Sequence, residues 1–298
     1  MAAPLGQYKM VLFARTTDKE ILRGAQNGGI VTALLSYALD TGIIDGAVVA
    51  APSRSKPWRG KFDPWRSEPI VAMTRDQLLS ARKTGYNISP NVMMIKEATR
   101  SYGLDRVGIV GVPCQIQGVR KAQLYPIGMR GVPDKIALVI GIYCMEVFPY
   151  QSIVQIVEDH GGVKMESVEK IEIGKGNFTV VTERGRTIQI PLNETRDLEQ
   201  PGCHVCLDYA ATLADISTGS AGSPAGWSTV FIRTKIGDEV WKRAMQAGLF
   251  ETKPIGQVEP GLGAVEKLAV EKITRNKKTL EDRDFIGTKG LRNPYITT

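Results

Sequence analysis

The chain has 298 residues, of which 43% are hydrophobic and 23% are charged, as in an ordinary soluble globular protein. No apolar run approaches the roughly 20 residues that span a bilayer, and the first residues lack the pattern of a secretion signal, so we expect a cytoplasmic protein without a membrane span. The net charge of +7 is dispersed along the chain and favours anionic ligands. The sequence has no RNA-binding signature, zinc-finger spacing or basic helix, so we do not expect nucleic acid as a partner.

The first half of the chain alternates predicted strands with predicted helices. An apolar strand over Tyr8–Ala14 precedes Asp18, which stands in the N-cap position of a short helix over 19–26. Asn27-Gly28-Gly29 interrupts this pattern, and a second helix follows it and ends near Gly42. The pattern then predicts strands at Asp45–Ala51, Ile70–Met73, Val107–Val112 and Ile136–Tyr143, and helices at Arg75–Ala81 and Asn91–Arg100. Such alternation is typical of an α/β protein.

The second half of the chain has a different pattern. A helix over Tyr150–His160 precedes three short alternating stretches, which predict an antiparallel meander at Val168–Ile173, Asn177–Thr182 and Thr187–Pro191. Beyond it we expect a strand at Thr229–Arg233, a helix at Asp238–Ala247 and a basic, mostly helical tail. We therefore predict an α/β (α+β) fold with a mixed sheet, helices on both of its faces and an antiparallel meander. Residues 1–255 would form one domain and 256–298 a helical C-terminal tail.

The four cysteines are the main candidates for chemistry, and they are Cys114, Cys144, Cys203 and Cys206. Because a cytoplasmic compartment keeps thiols reduced, metal ligation or thiol redox chemistry is expected before a disulfide. Cys114 and Cys144 each follow a predicted apolar strand, and ligands gather at the carboxyl ends of such strands. Cys203 and Cys206 form a CxxC turn. The spacing allows a zinc site or a 4Fe-4S cluster, a dithiol pair, or small buried residues with no ligand.

Three polar or glycine-rich segments are candidates for binding a cofactor. Asn27-Gly28-Gly29 precedes a helix, where backbone N–H groups favour a phosphate, although a plain turn between two helices explains it as well. The loop from Thr84 to Asn91 and the small-residue stretch Ser217–Trp227 could each wrap a ligand or lie on the surface. With two histidines and no Ser/His/Asp or Cys/His constellation, the chain favours redox chemistry performed by cofactors.

Six separate motifs resemble one known family, the β subunits of coenzyme F420-reducing hydrogenases of methanogenic archaea. The resemblance runs in order from about Tyr8 to the segment at 260–263, nearly the whole chain. The motifs are Gly28-Gly29-Ile30-Val31-Thr32, Ser89-Pro90-Asn91-Val92-Met93-Met94, Val112-Pro113-Cys114-Gln115, Gly141-Ile142-Tyr143-Cys144-Met145-Glu146, Gly202-Cys203-x-x-Cys206 and Ser217-Thr218-Gly219-Ser220.

The resemblance implies an FAD, one 4Fe-4S cluster and coenzyme F420, a deazaflavin, as substrate. The cluster would be bound by the four cysteines, Cys114, Cys144, Cys203 and Cys206. The FAD would be bound by residues of the matching motifs, by the residue before the first motif and by the polar loop before the second. These residues are Asn27, Gly28, Gly29, Thr32, Tyr86, Ser89, Asn91, Ser217, Thr218 and Gly219. No side-chain acid or base is expected, because the cofactors supply the chemistry.

The resemblance also implies partners, a hydrogenase large (Ni-Fe) subunit and a small (iron–sulfur) subunit. The basic loop with Trp58 and Trp65 and the helical tail are candidate docking surfaces. Two alternatives stay open: a related subunit of a formate dehydrogenase or sulfite reductase complex, or a non-catalytic binding module stabilised by zinc. Relatives of the first kind often carry extra ferredoxin-type cysteine runs, which this sequence lacks.

Overall fold

The apolar, β-branched runs of the sequence form the centre of an eight-stranded sheet in the computed structural model, which describes residues 4–53, 63–125 and 130–282. The strands in chain order are β1 (Met10–Thr16), β2 (Gly46–Pro52), β3 (Ser67–Ala72), β4 (Val107–Gly111), β5 (Ile136–Ile142), β6 (Val168–Gly174), β7 (Asn177–Thr182), β8 (Thr187–Pro191), β9 (Ile216–Gly219), β10 (Ser228–Ile232) and β11 (Phe250–Pro254). The large sheet has the order β11-β1-β10-β9-β5-β4-β2-β3, and β6, β7 and β8 form the predicted meander.

Helices cover both faces of the large sheet, as the sequence pattern predicts. They are α1 (Lys19–Gly24), α2 (Ile30–Asp40), α3 (Arg75–Ser80), α4 (Asn91–Arg100), α5 (Pro113–Leu124), α6 (Tyr150–Gln155), α7 (Lys235–Gln246) and α8 (Gly261–Asp282). One hydrophobic core lies between the sheet and α2, α3 and α7, and a second lies between the sheet and α4 and α5. The predicted α/β fold with a mixed sheet is therefore confirmed, and the predicted N-cap at Asp18 accepts hydrogen bonds from the first turn of α1.

Strand directions bring most of the candidate residues to one edge of the large sheet. β2, β4, β5 and β9 are parallel neighbours, and β1 runs in the same direction because two antiparallel pairings separate it from β9. The carboxyl ends of these five strands therefore lie at a common edge, together with the beginnings of β3, β10 and β11. We call this the carboxyl edge. It is the expected place for a ligand in an open α/β sheet.

Two strands of the structure, β9 and β11, lie where the sequence predicts none. The stretch Ser217–Trp227 was expected to be a loop, but its first three residues belong to β9, which the four-residue run Ile216–Gly219 forms between β5 and β10. Small and polar residues there do not indicate a strand on their own, and pairing on both sides overrides their propensity. The edge strand β11 was not predicted at all, because only Phe250 of its five residues is buried.

The expectation of an exposed, Trp-containing docking loop is wrong for Trp65. This side chain is 2% exposed and its indole N–H donates to the Val168 carbonyl at 2.9 Å. It belongs to a separate hydrophobic core that includes Phe148 and Phe178 and lies under the meander. Trp58 lies outside the described residues. Tryptophan in a basic, proline-rich stretch looks exposed in sequence, but here a distant strand buries it.

Helix α8 lies within the predicted helical tail, residues 256–298, of which 283–298 are outside the described residues, and it packs on the rest of the protein along one side. Its buried positions are Gly261, Val265, Ala269, Lys272, Asn276 and Leu280. Val265 and Ala269 contact a fourth core that contains Leu5 and Phe231. A large part of the predicted docking tail is therefore an internal contact surface. In the part of the chain that the structure describes, no helix is both long and apolar enough to cross a membrane.

Candidate functional site

The four cysteines reach one place from three separate segments of the chain. Cys114 lies in the first turn of α5, directly after β4, and Cys144 follows β5 by two residues. Cys203 lies in a short 3-10 helical turn and Cys206 comes directly after it. The thiol of Cys144 interacts electrostatically with the other three, and those of Cys114 and Cys203 each interact with Cys206. The structure thus brings together all four residues of the expected ligand set.

Backbone hydrogen bonds join the two loops that carry three of these cysteines. The Cys144 N–H donates to the Tyr209 carbonyl at 2.9 Å, and the Gln200 N–H donates to the Val147 carbonyl at 2.9 Å. The Val147 N–H in turn points at the Cys203 sulfur, at 3.4 Å. An N–H group aimed at a sulfur is typical of the surroundings of a metal-bound thiolate, because it stabilises the charged form.

Three of the four thiols are affected by burial. Burial raises the pKa of Cys203 to about 11 and also raises the pKa values of Cys114 and Cys144. Cys114 is nevertheless exposed as a residue, while the other three cysteines are partly buried. The raised pKa values of Cys114, Cys144 and Cys203 keep these three thiols protonated at neutral pH without a metal, and ligation must displace their protons.

Helix α8 holds the cysteine loops through two buried polar residues that sequence reasoning missed. Lys272 Nζ donates to the Cys144 carbonyl at 2.7 Å and to the Asp208 carbonyl at 3.0 Å. Asn276 Nδ2 donates to the carbonyls of Cys203 at 2.8 Å and Cys206 at 2.6 Å. The signal in the sequence is slight: a Lys and an Asn four residues apart share one helix face, but so do many solvated pairs.

A pair of carboxylates lies beside the cysteines. Burial, with the Glu199 carboxylate as the next cause, raises the pKa of Glu146 to about 7, and Arg275 lies 3.5 Å from Glu146. Burial also raises the pKa of Glu199, which pairs with His204 at 3.1 Å. His204 lies between Cys203 and Cys206 in the sequence, and its ring is engaged with this carboxylate.

The number of cysteine thiols matches the four donors of a zinc site or of a 4Fe-4S cluster. Within the described ranges, no group of three or more His, Cys, Asp or Glu side chains is arranged closely enough to hold one metal ion. A single ion needs all its donors around one atom. A four-iron cluster instead takes one thiolate at each iron, so its four sulfurs lie further apart. Four thiols from three segments, with the Val147 N–H and the Lys272 ammonium beside them, are compatible with a cluster of this kind.

The second candidate region is the glycine turn before α2. Gly28 packs against the sheet: its N–H donates to Ser228 Oγ at 3.1 Å, and a Cβ there would lie 2.5 Å from the Ala14 carbonyl oxygen. Gly29 has a φ of +72° and precedes α2 without any side-chain cap. The N-terminal N–H groups of α2 therefore have no side-chain acceptor from the cap position, which leaves them for an anion. Asn27 and Thr32 flank the turn and are half-buried.

Two buried polar atoms near this turn have no partner among the described residues, Gln26 Oε1 and Thr218 Oγ1. Gln26 lies just before the glycines, and its amide Nε2 donates to the Ile171 carbonyl of the meander at 3.2 Å. Thr218 lies on β9, whose end pairs with Thr229 of β10 next to Ser228. Buried polar atoms without partners are uncommon and mark places where a ligand or water completes the bonding. This edge of the sheet therefore fits a polar ligand such as FAD.

Other predicted FAD residues are engaged with the protein itself. The Ser89 hydroxyl lies 2.6 Å from Asn91 Oδ1, and Asn91 Nδ2 donates to the Val110 carbonyl at 2.9 Å. Ser217 Oγ accepts from the Arg233 guanidinium at 2.8 Å. Gly219 lies against the Tyr143 ring, so that no larger side chain fits there.

Tyr86 is turned toward the meander rather than toward the glycine turn. Its hydroxyl accepts from the Ile173 N–H at 3.2 Å, and burial raises its pKa to about 12. Its backbone has a φ of +56°, in the region that few non-glycine residues adopt. The ligand roles of Tyr86, Ser89, Asn91, Ser217 and Gly219 stay predictions.

Known proteins resemble the chain along its length. Residues 11–96 match the family model for the N-terminal part of the coenzyme F420 hydrogenase/dehydrogenase beta subunit, and residues 104–258 match the model for its C-terminal part. The coenzyme F420 hydrogenase subunit beta of Methanosarcina barkeri is 59% identical, over 98% of each chain. That of Methanothermobacter thermautotrophicus is 53% identical over 98% of this chain and 99% of its own. A chain in a solved structure of the F420-reducing NiFe hydrogenase complex from Methanosarcina barkeri is 58% identical, with a TM-score of 0.91 over 98% of each chain.

Proposed function

The chain belongs to the coenzyme F420 hydrogenase/dehydrogenase beta subunit family, and on that premise we propose that it passes electrons between a partner hydrogenase and coenzyme F420. In this proposal it binds one 4Fe-4S cluster and one FAD. The observation that carries the proposal is the convergence of Cys114, Cys144, Cys203 and Cys206 at the carboxyl edge of a sheet whose neighbouring strand ends offer a second, polar site.

The cysteine site and the glycine-turn site would hold different cofactors. When bound, the cluster would carry one electron at a time, and FAD would exchange both single electrons and the hydride that a deazaflavin requires. The cysteine loops and the start of α5 would hold and orient the cluster through Cys114, Cys144, Cys203 and Cys206. The turn at Asn27, Gly28 and Gly29 and the first turn of α2, with Thr32, would bind the phosphate or ribitol part of FAD through backbone N–H groups.

The remaining residues would shape the flavin site. Thr218 offers a free buried hydroxyl for a direct contact, whereas Ser89 and Asn91 hold the beginning of α4 against β4. We propose that the protein's contribution to the reaction is to hold the two ring systems in contact and the cluster nearby.

The partners follow from what the sequence contains. With four cysteines in all, it lacks the paired CxxC motifs of a nickel–iron site, so the chain depends on a hydrogenase large subunit to activate hydrogen and on a small iron–sulfur subunit to deliver electrons. The similarity over 98% of both this chain and the Methanosarcina barkeri protein favours a hydrogenase subunit. A formate dehydrogenase or sulfite reductase complex is the second candidate partner.

Activity of the isolated chain tests this proposal. Loaded with FAD and cluster under anaerobic conditions, it should oxidise reduced coenzyme F420 with an artificial one-electron acceptor. It should show no hydrogen-dependent reduction of the coenzyme until hydrogenase subunits are added. Hydrogen uptake by the single chain, or failure with artificial acceptors at full cofactor occupancy, would contradict the proposal.

The purified protein also distinguishes the cluster from zinc. A flavin and a cluster give a brown-yellow protein with iron and acid-labile sulfide, whereas a zinc-stabilised binding module is colourless. Replacing any one of the four cysteines by Ser should reduce the iron content while the flavin content stays close to that of the wild type. Zinc in place of iron in protein purified under anaerobic conditions would favour the binding module.

A further inference from the structure

The buried face of α8 carries a lysine whose environment is unusual. Lys272 is 1% exposed, and lysines are almost never fully buried without a charged partner. Its two hydrogen bonds, at 2.7 and 3.0 Å, go to neutral carbonyls, those of Cys144 and Asp208. Among the residues that the structure describes, no carboxylate lies within ion-pair distance of Nζ. A buried ammonium without a counter-charge is costly, so a negative group is expected nearby.

The cysteine site is the place where such a charge would form. The Lys272 ammonium acts electrostatically on Cys114, Cys144 and Cys203, and in each case its field favours the thiolate. Glu146 and Glu199 also feel this field, but Arg275 and His204 lie closer to them. The four thiolates of a ligated cluster would therefore supply the charge that Lys272 lacks.

Asn276 lies one helical turn further along α8. Its side chain also donates to two backbone carbonyls, but it is neutral. Its amide bonds the carbonyls of Cys203 and Cys206 and so fixes the CxxC turn. Lys272 and Asn276 together fasten both cysteine loops to α8. The two residues differ in one respect. Lys272 positions a cysteine loop and also carries a positive charge, whereas Asn276 only positions a cysteine loop.

We propose that Lys272 is a positioning residue for the cluster and its counter-charge, and that it sets the cluster's midpoint potential. The inference rests on the proposed function. A cluster bound by four thiolates is negatively charged, and reduction adds one electron without making a bond or moving a proton. A fixed cation stabilises the reduced form more than the oxidised form. Loss of that cation therefore shifts the midpoint potential to a more negative value.

The test compares four variants of the full chain. Lys272→Met removes the charge and keeps the length, Lys272→Arg keeps the charge, and Asn276→Ala removes an uncharged anchor. Lys267→Met is the control, because Lys267 lies on the exposed side of the same helix. Each protein is reconstituted anaerobically and its cluster is titrated electrochemically with detection by electron paramagnetic resonance. Iron and flavin contents and the thermal midpoint are measured alongside.

The expected shift is negative for Lys272→Met, while Lys272→Arg and Lys267→Met stay close to the wild type. Asn276→Ala should lose cluster faster on dilution, with little change in potential. An unchanged potential in cluster-loaded Lys272→Met overturns the inference. If Lys272→Met folds but binds no iron, the iron content of Lys272→Arg gives the answer. Iron bound by Lys272→Arg supports a requirement for a cation at this position. Iron missing from Lys272→Arg as well overturns the inference. Iron missing from the wild type would instead overturn the proposed function, and this inference with it.

Discussion

At the scale of single residues, Gly28 and Gly29 are adjacent but have different reasons to be glycine. Gly28 lies so close to Ala14 and Ser228 that a side chain would clash with backbone atoms. Gly29 has a positive φ, which a residue with a Cβ adopts only at a cost. Packing against the sheet requires glycine at position 28, and backbone conformation requires it at position 29. Only the second shapes the helix start that would receive a phosphate.

Replacing Gly29 by Val should lower flavin content and leave iron content largely unchanged. A Cβ at Gly29 would lie 2.9 Å from Thr16 Cγ2 and 3.0 Å from Ile21 Cγ2, in a conformation that a β-branched residue avoids. The control is Gly103→Val, because Gly103 has a φ of +68° and, among the described atoms, no neighbour within 4 Å of such a Cβ. Both variants should lose about 1–2 kcal/mol from backbone strain. Equal flavin occupancy in the two variants would contradict the assigned role of Gly29.

At the scale of elements, β9 is only four residues long and depends on contacts beyond its own propensity. Asp215, the residue before it, is nearly fully buried and connects three elements. Its carboxylate accepts from the Val139 N–H of β5 at 2.8 Å, the Arg120 guanidinium of α5 at 2.9 Å and the Thr234 hydroxyl before α7 at 2.6 Å. This network fixes where β9 begins and therefore where Ser217, Thr218 and Gly219 lie.

Replacing Asp215 by Ala should destabilise the protein by about 3 kcal/mol, because the buried Val139 N–H loses its acceptor and the Arg120 guanidinium keeps its bonds to Leu213 and Gln123 but loses its carboxylate. Asp238→Ala is the matched control, since Asp238 pairs with Lys242 one turn along the solvent-facing side of α7 at 2.8 Å. That pair is worth only about 0.3–0.5 kcal/mol. Urea unfolding followed by circular dichroism measures both. A loss below about 1 kcal/mol for Asp215→Ala would show that the network is dispensable.

At the scale of the whole molecule, the carboxyl edge separates a buried side of the cysteine site from an open side. Cys144 lies behind α8, whereas Cys114 is exposed. Beside Cys114, the Gln115 amide bonds the Ser89 carbonyl at 2.5 Å, which brings the start of α4 close. Met93, in the first turn of α4, is 78% exposed, and Ile88 is 43% exposed. We therefore predict that the exposed apolar side chains at the start of α4 take part in docking of a hydrogenase partner.

Replacing Met93 by Glu should slow electron transfer with the hydrogenase subunits several-fold, because it puts a charge into an apolar contact. Activity with a small artificial acceptor should be unchanged. Met73→Glu is the control, since Met73 is also exposed but follows β3 at the opposite edge of the sheet. Stopped-flow reduction by the partner subunits, at matched cofactor contents, gives the comparison. Equal rates for Met93→Glu and Met73→Glu would place the docking surface elsewhere.

The sequence by itself determined the periodic elements and the type of chemistry. Apolar β-branched runs and capped helices predict the α/β fold because local patterning and burial act over a few residues. Cys114 and Cys144 at two strand ends and the CxxC turn predict a shared site, because parallel strands end at one edge.

Only the tertiary structure decided that Trp65 is buried, that Ser217–Gly219 form a strand, and that Lys272 and Asn276 fasten the cysteine loops. Each of these depends on a partner far away in the chain: Trp65 bonds Val168, and Lys272 bonds Cys144. Side-chain type and spacing do not specify such a partner. A lysine that will be solvated and one that will be buried cannot be distinguished in the sequence, because burial depends on the folded chain around them.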